Sequence, residues 1–236
     1  MPLLQVEGFG KSFTIAHLSQ TIRAVEGIDF MVEKGAFLGI TGKSGSGKST
    51  ILKSIYRTYL PDEGRIWFDS EQFGRIDLLQ ADEQQMVYLR KHEIGYVSQF
   101  LSVMPRTTTL QLVEQSVLEM GYSQRDANKE AIHVLTHFEL DERLWHTYPN
   151  TFSGGEKLRL NIAIASVKKP RLLLLDEPTA SLDGKSKLKV RELIEKLKLD
   201  GTTLIGVFHD IEFMDGLCDQ VYDMKQKAYE QTERVR

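Results

Sequence analysis

A single cysteine, Cys218, stands in the 236 residues of this chain. One thiol excludes an internal disulfide and a cysteine-ligated metal or iron–sulfur centre, and it suits a reducing compartment. No catalytic arrangement surrounds it, so Cys218 is read as a buried or bystander residue. Long apolar runs are also missing. The longest strongly apolar one, Leu172–Leu175, has four residues, against about twenty for a membrane-spanning helix. The N-terminus lacks the basic-then-apolar pattern of an export signal. The expectation is a cytoplasmic protein with no membrane insertion of its own, which leaves a membrane partner open. Net positive charge is absent too. Thirty Lys and Arg against 33 Asp and Glu give a formal charge of −3, so bulk charge does not support a nucleic-acid partner, and none is expected. The cluster Lys185, Lys187, Lys189 and Arg191 is read as a solvated helix face. Repeats and low-complexity tracts are absent.

Hydrophobic residues make up 41% of the chain and charged residues 27%, enough apolar material for a sizeable core. The length fits one domain. Short alternating runs, Leu4-Gln5-Val6-Glu7 and Ile28-Asp29-Phe30, predict strands in the first thirty or so residues. The continuous run Ala36-Phe37-Leu38-Gly39-Ile40 suits a strand buried on both faces of a parallel sheet. Glycines follow it, and Ser49 to Tyr59 reads as a helix. From Leu110 to His146 the apolar residues Leu110, Val113, Val117, Leu118, Ile132, Leu135 and Phe138 recur at helical spacing. Strand character returns at Leu172–Leu175 and Thr203–Phe208, with an amphipathic helix, Leu188–Leu199, between them. The class is α/β: an antiparallel N-terminal β portion, and a helical insertion spliced into a parallel core.

Gly42-Lys43-Ser44-Gly45-Ser46-Gly47-Lys48-Ser49 matches the phosphate-loop pattern G-x-x-x-x-G-K-[ST] in full. Its glycines allow a tight turn whose N–H groups converge on an anion, and the helix that follows adds its positive end. Lys48 is expected on the β- and γ-phosphates of ATP, Ser49 on Mg²⁺, and Thr50 completes the nucleotide-binding set. Leu172–Leu175 runs into Asp176 and Glu177. Two adjacent acids at the end of a buried strand suit a Mg²⁺ carboxylate, Asp176, and a group that polarises the attacking water, Glu177.

With Phe152-Ser153-Gly154-Gly155-Glu156 lying between these two motifs, the chain resembles the ATP-binding-cassette family over essentially its whole length. The pentapeptide is similar to the family signature LSGGQ, with Phe and Glu at its ends. The resemblance implies a P-loop NTPase (RecA-like) core with an N-terminal antiparallel β subdomain and an inserted helical subdomain at about residues 99–165, in a single domain over 1–236. It also implies that Ser153, Gly154, Gly155 and Glu156 contact ATP held by a second subunit, identical or related, in a head-to-tail dimer. Gln99 looks like the glutamine that senses Mg²⁺ and the attacking water, and Ser181-Leu182-Asp183 like the loop that crosses the dimer interface, with Asp183 its carboxylate. His209 looks like the switch histidine on the γ-phosphate. Phe13 is the choice for the aromatic on adenine, with Phe9 and Phe30 nearby.

Within the family, four stretches are similar to the ATPase of the bacterial carbon–phosphorus lyase system for phosphonates. They are Tyr59–Gly64, Ser98–Leu101 with Pro105-Arg106, Glu142–His146, and Phe208-His209-Asp210. This resemblance implies soluble phosphonate-degrading partners. The alternative is the ATPase of a lipoprotein-release or macrolide-type exporter.

Overall fold

The computed structural model describes residues 1–15, 20–99, 101, 105–179 and 182–229. The chain begins with β1 (Leu4–Ile15), β2 (Gln20–Val32) and β3 (Phe37–Thr41), then α1 (Lys48–Ile55), β4 (Glu63–Ser70) and β5 (Gly74–Asp77). It continues through α2 (Glu83–His92) and β6 (Ile94–Val97) to a helical stretch of α3 (Thr109–Glu119), α4 (Gln124–His137), α5 (Glu142–Trp145) and α6 (Gly154–Ser166). The last part alternates: β7 (Leu172–Asp176), α7 (Gly184–Leu199), β8 (Thr203–Val207), α8 (Ile211–Met214), β9 (Gln220–Asp223) and β10 (Ala228–Tyr229).

The strands form two sheets. One is antiparallel with order β2-β1-β4-β5, and the other has order β10-β9-β3-β8-β7-β6. In the second, β3, β6, β7, β8 and β9 run parallel, and only β10 is antiparallel. This is the expected RecA-like core with an antiparallel β subdomain and an inserted helical subdomain. No helix of the described residues is long and apolar enough to cross a membrane.

The continuous apolar runs have a direct physical use. Along β7, Leu172 and Leu174 enter the core shared with α1, α2 and the antiparallel sheet, whereas Leu173 and Leu175 enter the core shared with α3, α4, α6 and α7. A strand whose alternate side chains feed two cores cannot carry a polar face. Burying each leucine fully contributes roughly 1.5–3 kcal/mol. On β8, Leu204 joins one core while Ile205 and Val207 join the other.

Several expectations need correction. The first helix stops at Ile55 rather than Tyr59, because Arg57 takes a left-handed φ of 58° that no helix continues. Ile132 is exposed; Ala131 and Val134 carry that part of the buried face of α4. The antiparallel sheet gains β4 and β5 from beyond the phosphate loop, which the reading of the first thirty residues did not anticipate. The basic cluster is not uniformly solvated. Lys187 and Arg191 are half-buried and pair with Asp210 and Glu195, while Lys185 and Lys189 are exposed. Cys218 packs beside Gly39, and burial pushes its thiol up to about 12, so it is unreactive.

Candidate active site

The C-terminal ends of β3, β8, β7 and β6 lie side by side, the usual place for a ligand in an open α/β sheet. The phosphate loop leaves β3 there. Gly47 has φ 86°, and a Cβ on it would lie 2.1 Å from Val25 Cγ2 and 2.7 Å from the Ala24 carbonyl oxygen. Only glycine permits this turn against β2. Gly47 also opens α1 without a side-chain cap, so the first N–H groups of α1 lack an intrahelical acceptor. Ser46 Oγ is buried without a hydrogen-bond partner among the described residues. An orphaned hydroxyl inside a nest of amides fits a phosphate oxygen.

Lys48 is 4% exposed, and its ammonium donates to the Gly42 and Lys43 carbonyls at 2.8 and 3.0 Å. Burial pulls this ammonium down from its ordinary value, against the opposing pull of Glu177 and Asp176. The cation is therefore held inside the loop it must serve. Ser49 Oγ donates to Asp176 Oδ1 at 2.6 Å, so the hydroxyl and carboxylate expected on Mg²⁺ are in contact. Two hard oxygen donors beside a phosphate nest suit Mg²⁺. The other carboxylate oxygen, Asp176 Oδ2, accepts from the Tyr96 hydroxyl at 2.6 Å. Burial, then this hydrogen bond, push the Tyr96 phenol up, so it remains a donor.

Glu177 is a non-glycine residue at φ 51°. Such strain costs of order 1–3 kcal/mol and concentrates at functional sites. The turn carries its carboxylate to His209, where Oε1 and Nε2 are 2.8 Å apart. An ionised carboxylate only accepts, so Nε2 is the protonated ring nitrogen. The two residues border a cleft of about 490 Å³ with Thr179, Lys187 and Asp210.

Gln99 is exposed just beyond β6. The preceding Ser98 carbonyl accepts from Asn161 Nδ2 of α6 at 2.9 Å, which ties this loop to the helical subdomain. Phe100 and Ser181 lie outside the described residues. Phe13 is half-buried on β1, edge-on to Tyr59 at 5.2 Å with the Lys11 ammonium 5.5 Å from its ring. Asp183 caps α7 by accepting from Ser186 N at 2.8 Å, and that bond holds its carboxyl below the ordinary value.

The Ser153–Glu156 segment stands apart. Among the described residues no hydrogen bond or ion pair joins it to residues 42–50. Ser153 and Gly154 are exposed, and α6 starts there with a capping box. Glu156 Oε2 accepts from Ser153 N at 2.8 Å and from Ser153 Oγ at 2.7 Å. Glu156, expected on the ATP of a second subunit, is bonded within this chain to its own helix end. At Gly155 a Cβ would meet Ser186 Oγ at 2.6 Å, so α6 and α7 touch at their starts. The next residue, Lys187, pairs with Asp210 beside His209.

Sequence reasoning missed Tyr96, Asn161 and Lys187. Each acts by reaching across from another element, and none belongs to a recognisable local pattern. The family positions Gly42–Ser49, Asp176, Glu177 and His209 lie together at the C-terminal ends of β3, β7 and β8.

A family model described as ABC transporter matches residues 25–180. The chain is 33% identical over 221 residues to the uncharacterised ABC transporter ATP-binding protein MJ0796 of Methanocaldococcus jannaschii, covering 92% of each. It is 37% identical over 190 residues to the lipoprotein-releasing system ATP-binding protein LolD of Legionella pneumophila, covering 80% of this chain and 81% of that one. A solved structure of MJ0796, described as dimeric, post-hydrolysis and bound to ADP and Pi, superposes with a TM-score of 0.85 at 31% identity and covers 99% of both chains.

Proposed function

Since the chain belongs to the ABC transporter ATPase family, we propose that it powers an exporter of the lipoprotein-release or macrolide type, as one of two cassettes that close on ATP. The ATPase activity goes with the family. The paired cassette is supported by the dimeric ADP- and Pi-bound relative. The exporter reading is supported by the relatives from lipoprotein-releasing systems.

The phosphonate expectation draws no support from these relatives. Residues in three of the four stretches that suggested it have structural uses. Asp62 binds Lys11 and Ser12 N, at 2.8 and 2.6 Å, and anchors β1. Trp145 is buried and donates to the Leu140 carbonyl. Phe208 packs on Phe37 and Phe213. Residues that hold the fold together do not discriminate among partners.

One observation carries the chemical reading: at the end of β7 the neighbours Asp176 and Glu177 each hold short contacts, Asp176 with Ser49 and Tyr96, and Glu177 with His209. Lys48 and the loop amides bind the β- and γ-phosphates. Ser49, Asp176 and Gln99 would hold Mg²⁺, which would supply positive charge against the phosphates. Glu177 orients water and accepts its proton. His209 donates from Nε2 to hold Glu177, and turns to the γ-phosphate when ATP is present. The signature of one cassette serves the ATP of the other through Ser153, Gly154 and Gly155, with Glu156 capping the helix that carries them.

A groove of about 520 Å³ lies between the core and the helical subdomain, lined in part by Tyr56, Val87, Arg90, Asn161 and Lys168. Through Asn161 it adjoins the loop at Ser98. We assign this face to the exporter's membrane subunit. The test is purification of the tagged native chain from detergent-solubilised membranes. An integral membrane protein that co-purifies and stimulates ATP hydrolysis is the expected result. Co-purification of phosphonate-degrading enzymes instead would reject the exporter reading.

A further inference from the structure

We propose that Tyr96 is a positioning residue for the Asp176 carboxylate, fixing the orientation in which it receives the divalent metal of the nucleotide. The inference rests on the assignment of Asp176 as the metal carboxylate and goes beyond it. Asp176 is 5% exposed and both its oxygens are taken: Oδ1 by Ser49 Oγ and Oδ2 by Tyr96 Oη, each at 2.6 Å. The two partners are not equivalent. Ser49 is itself expected on the metal, which its oxygen can meet through a lone pair while its O–H still donates to Oδ1. Tyr96 has no place among the expected ligands, and its hydroxyl holds the other oxygen, Oδ2.

The phenol is well placed for this duty. Tyr96 sits on β6, in register with Leu174 on the β7 strand that ends at Asp176. Its ring packs against that of Tyr56, with centroids 5.1 Å apart. Tyr56 is in turn braced by Arg90, whose guanidinium lies 5.1 Å from that ring and whose Nε donates to the Tyr56 carbonyl at 3.0 Å. The hydroxyl is thus delivered by a ring held from behind. A carboxylate restrained at one oxygen presents the other at a fixed angle, which is how outer partners of metal ligands act.

The experiment measures metal affinity rather than turnover. Mn²⁺ is titrated, with electron paramagnetic resonance as readout, onto the full chain loaded with a non-hydrolysable ATP analogue. Tyr96→Phe keeps the ring and removes the hydroxyl. Its Mn²⁺ affinity should fall about tenfold or more, while binding of the analogue in EDTA stays at the wild-type level. Asp176→Ala serves as control and leaves only the affinity supplied by the phosphates and the remaining ligands. In that background Tyr96→Phe should have no further effect, since the two act as one unit. Wild-type Mn²⁺ affinity in Tyr96→Phe, with a loss in Asp176→Ala, overturns the role of Tyr96 and leaves the metal assignment standing. Wild-type affinity in both overturns the metal assignment as well. If Tyr96→Phe also loses the analogue in EDTA, 4-aminophenylalanine installed at position 96 decides. Recovery of Mn²⁺ affinity by that restored donor supports the proposal, and failure to recover refutes it.

Discussion

The two regions assigned to ATP, the phosphate loop and the start of α6, are built in opposite ways. At the phosphate loop, Lys48 is buried on carbonyls, Asp176 is held at both oxygens, and Glu177 meets His209. Four elements converge, and the Ser46 hydroxyl is buried without a hydrogen-bond partner among the described residues. At the start of α6, Ser153 and Gly154 face solvent, and the carboxylate that bonds Ser153 is Glu156 of the same helix. The first region is furnished for chemistry within one chain. The second has a helix N-terminus, a serine and the Glu156 carboxylate, which feels the charges of Arg159 and Asp141. On the proposed reading an anion reaches it on a second copy of the first region.

The largest expected effect tests the chemistry of the first region. Glu177→Gln keeps the shape and removes the basic carboxylate, so hydrolysis should fall about 10²- to 10⁴-fold in a steady-state assay, while ATP binding persists. An unaltered rate would remove Glu177 from the reaction. Next comes binding. Lys48→Ala should weaken ATP by roughly 1.5–3 kcal/mol, about ten- to a hundredfold, in equilibrium titration. Unchanged affinity would show that the amide nest suffices alone.

The smallest effect sharpens the contrast from the other side. Glu156 places a carboxylate where the proposed partner's phosphate must come. Glu156→Gln should therefore tighten ATP-driven self-association a few-fold in sedimentation experiments, and a weaker association would assign Glu156 a direct supporting role. The same residue has a pH signature. Its hydrogen bonds to Ser153 hold its carboxyl below the ordinary value. A depressed folded value means the cap is in force above the ordinary carboxylate range and is lost as pH falls through the depressed value. Thermal unfolding of wild type and Glu156→Gln should converge as the pH falls through that range.

The comparison also explains what could be read from sequence. The phosphate loop was legible because its geometry demands glycine at positions such as Gly47, where any Cβ would strike Ala24 and Val25. The β7 strand was legible because two cores require an unbroken apolar run. Where a single face is buried the signal thins: α2 buries only Met86 and Leu89, too few to mark a period, although Asp82 and Gln85 form its capping box. At the signature, Ser153 and Glu156 have the spacing of a capping box, and family likeness drew attention to phosphate instead. Tyr96 carried no local mark at all. Its partner is 80 residues away, and only strand order brings them together.

The central claim is that the exposed region of one chain completes the furnished region of another. Gly154→Asp puts a charged side chain at the exposed region, and Lys48→Ala damages the furnished one. Mixing the two variants creates dimers with one composite site intact in both parts and one damaged in both. The account predicts that each variant alone is nearly inactive and that the mixture partly recovers ATPase activity. Full activity of Gly154→Asp alone, at dilutions where it is monomeric, would contradict it.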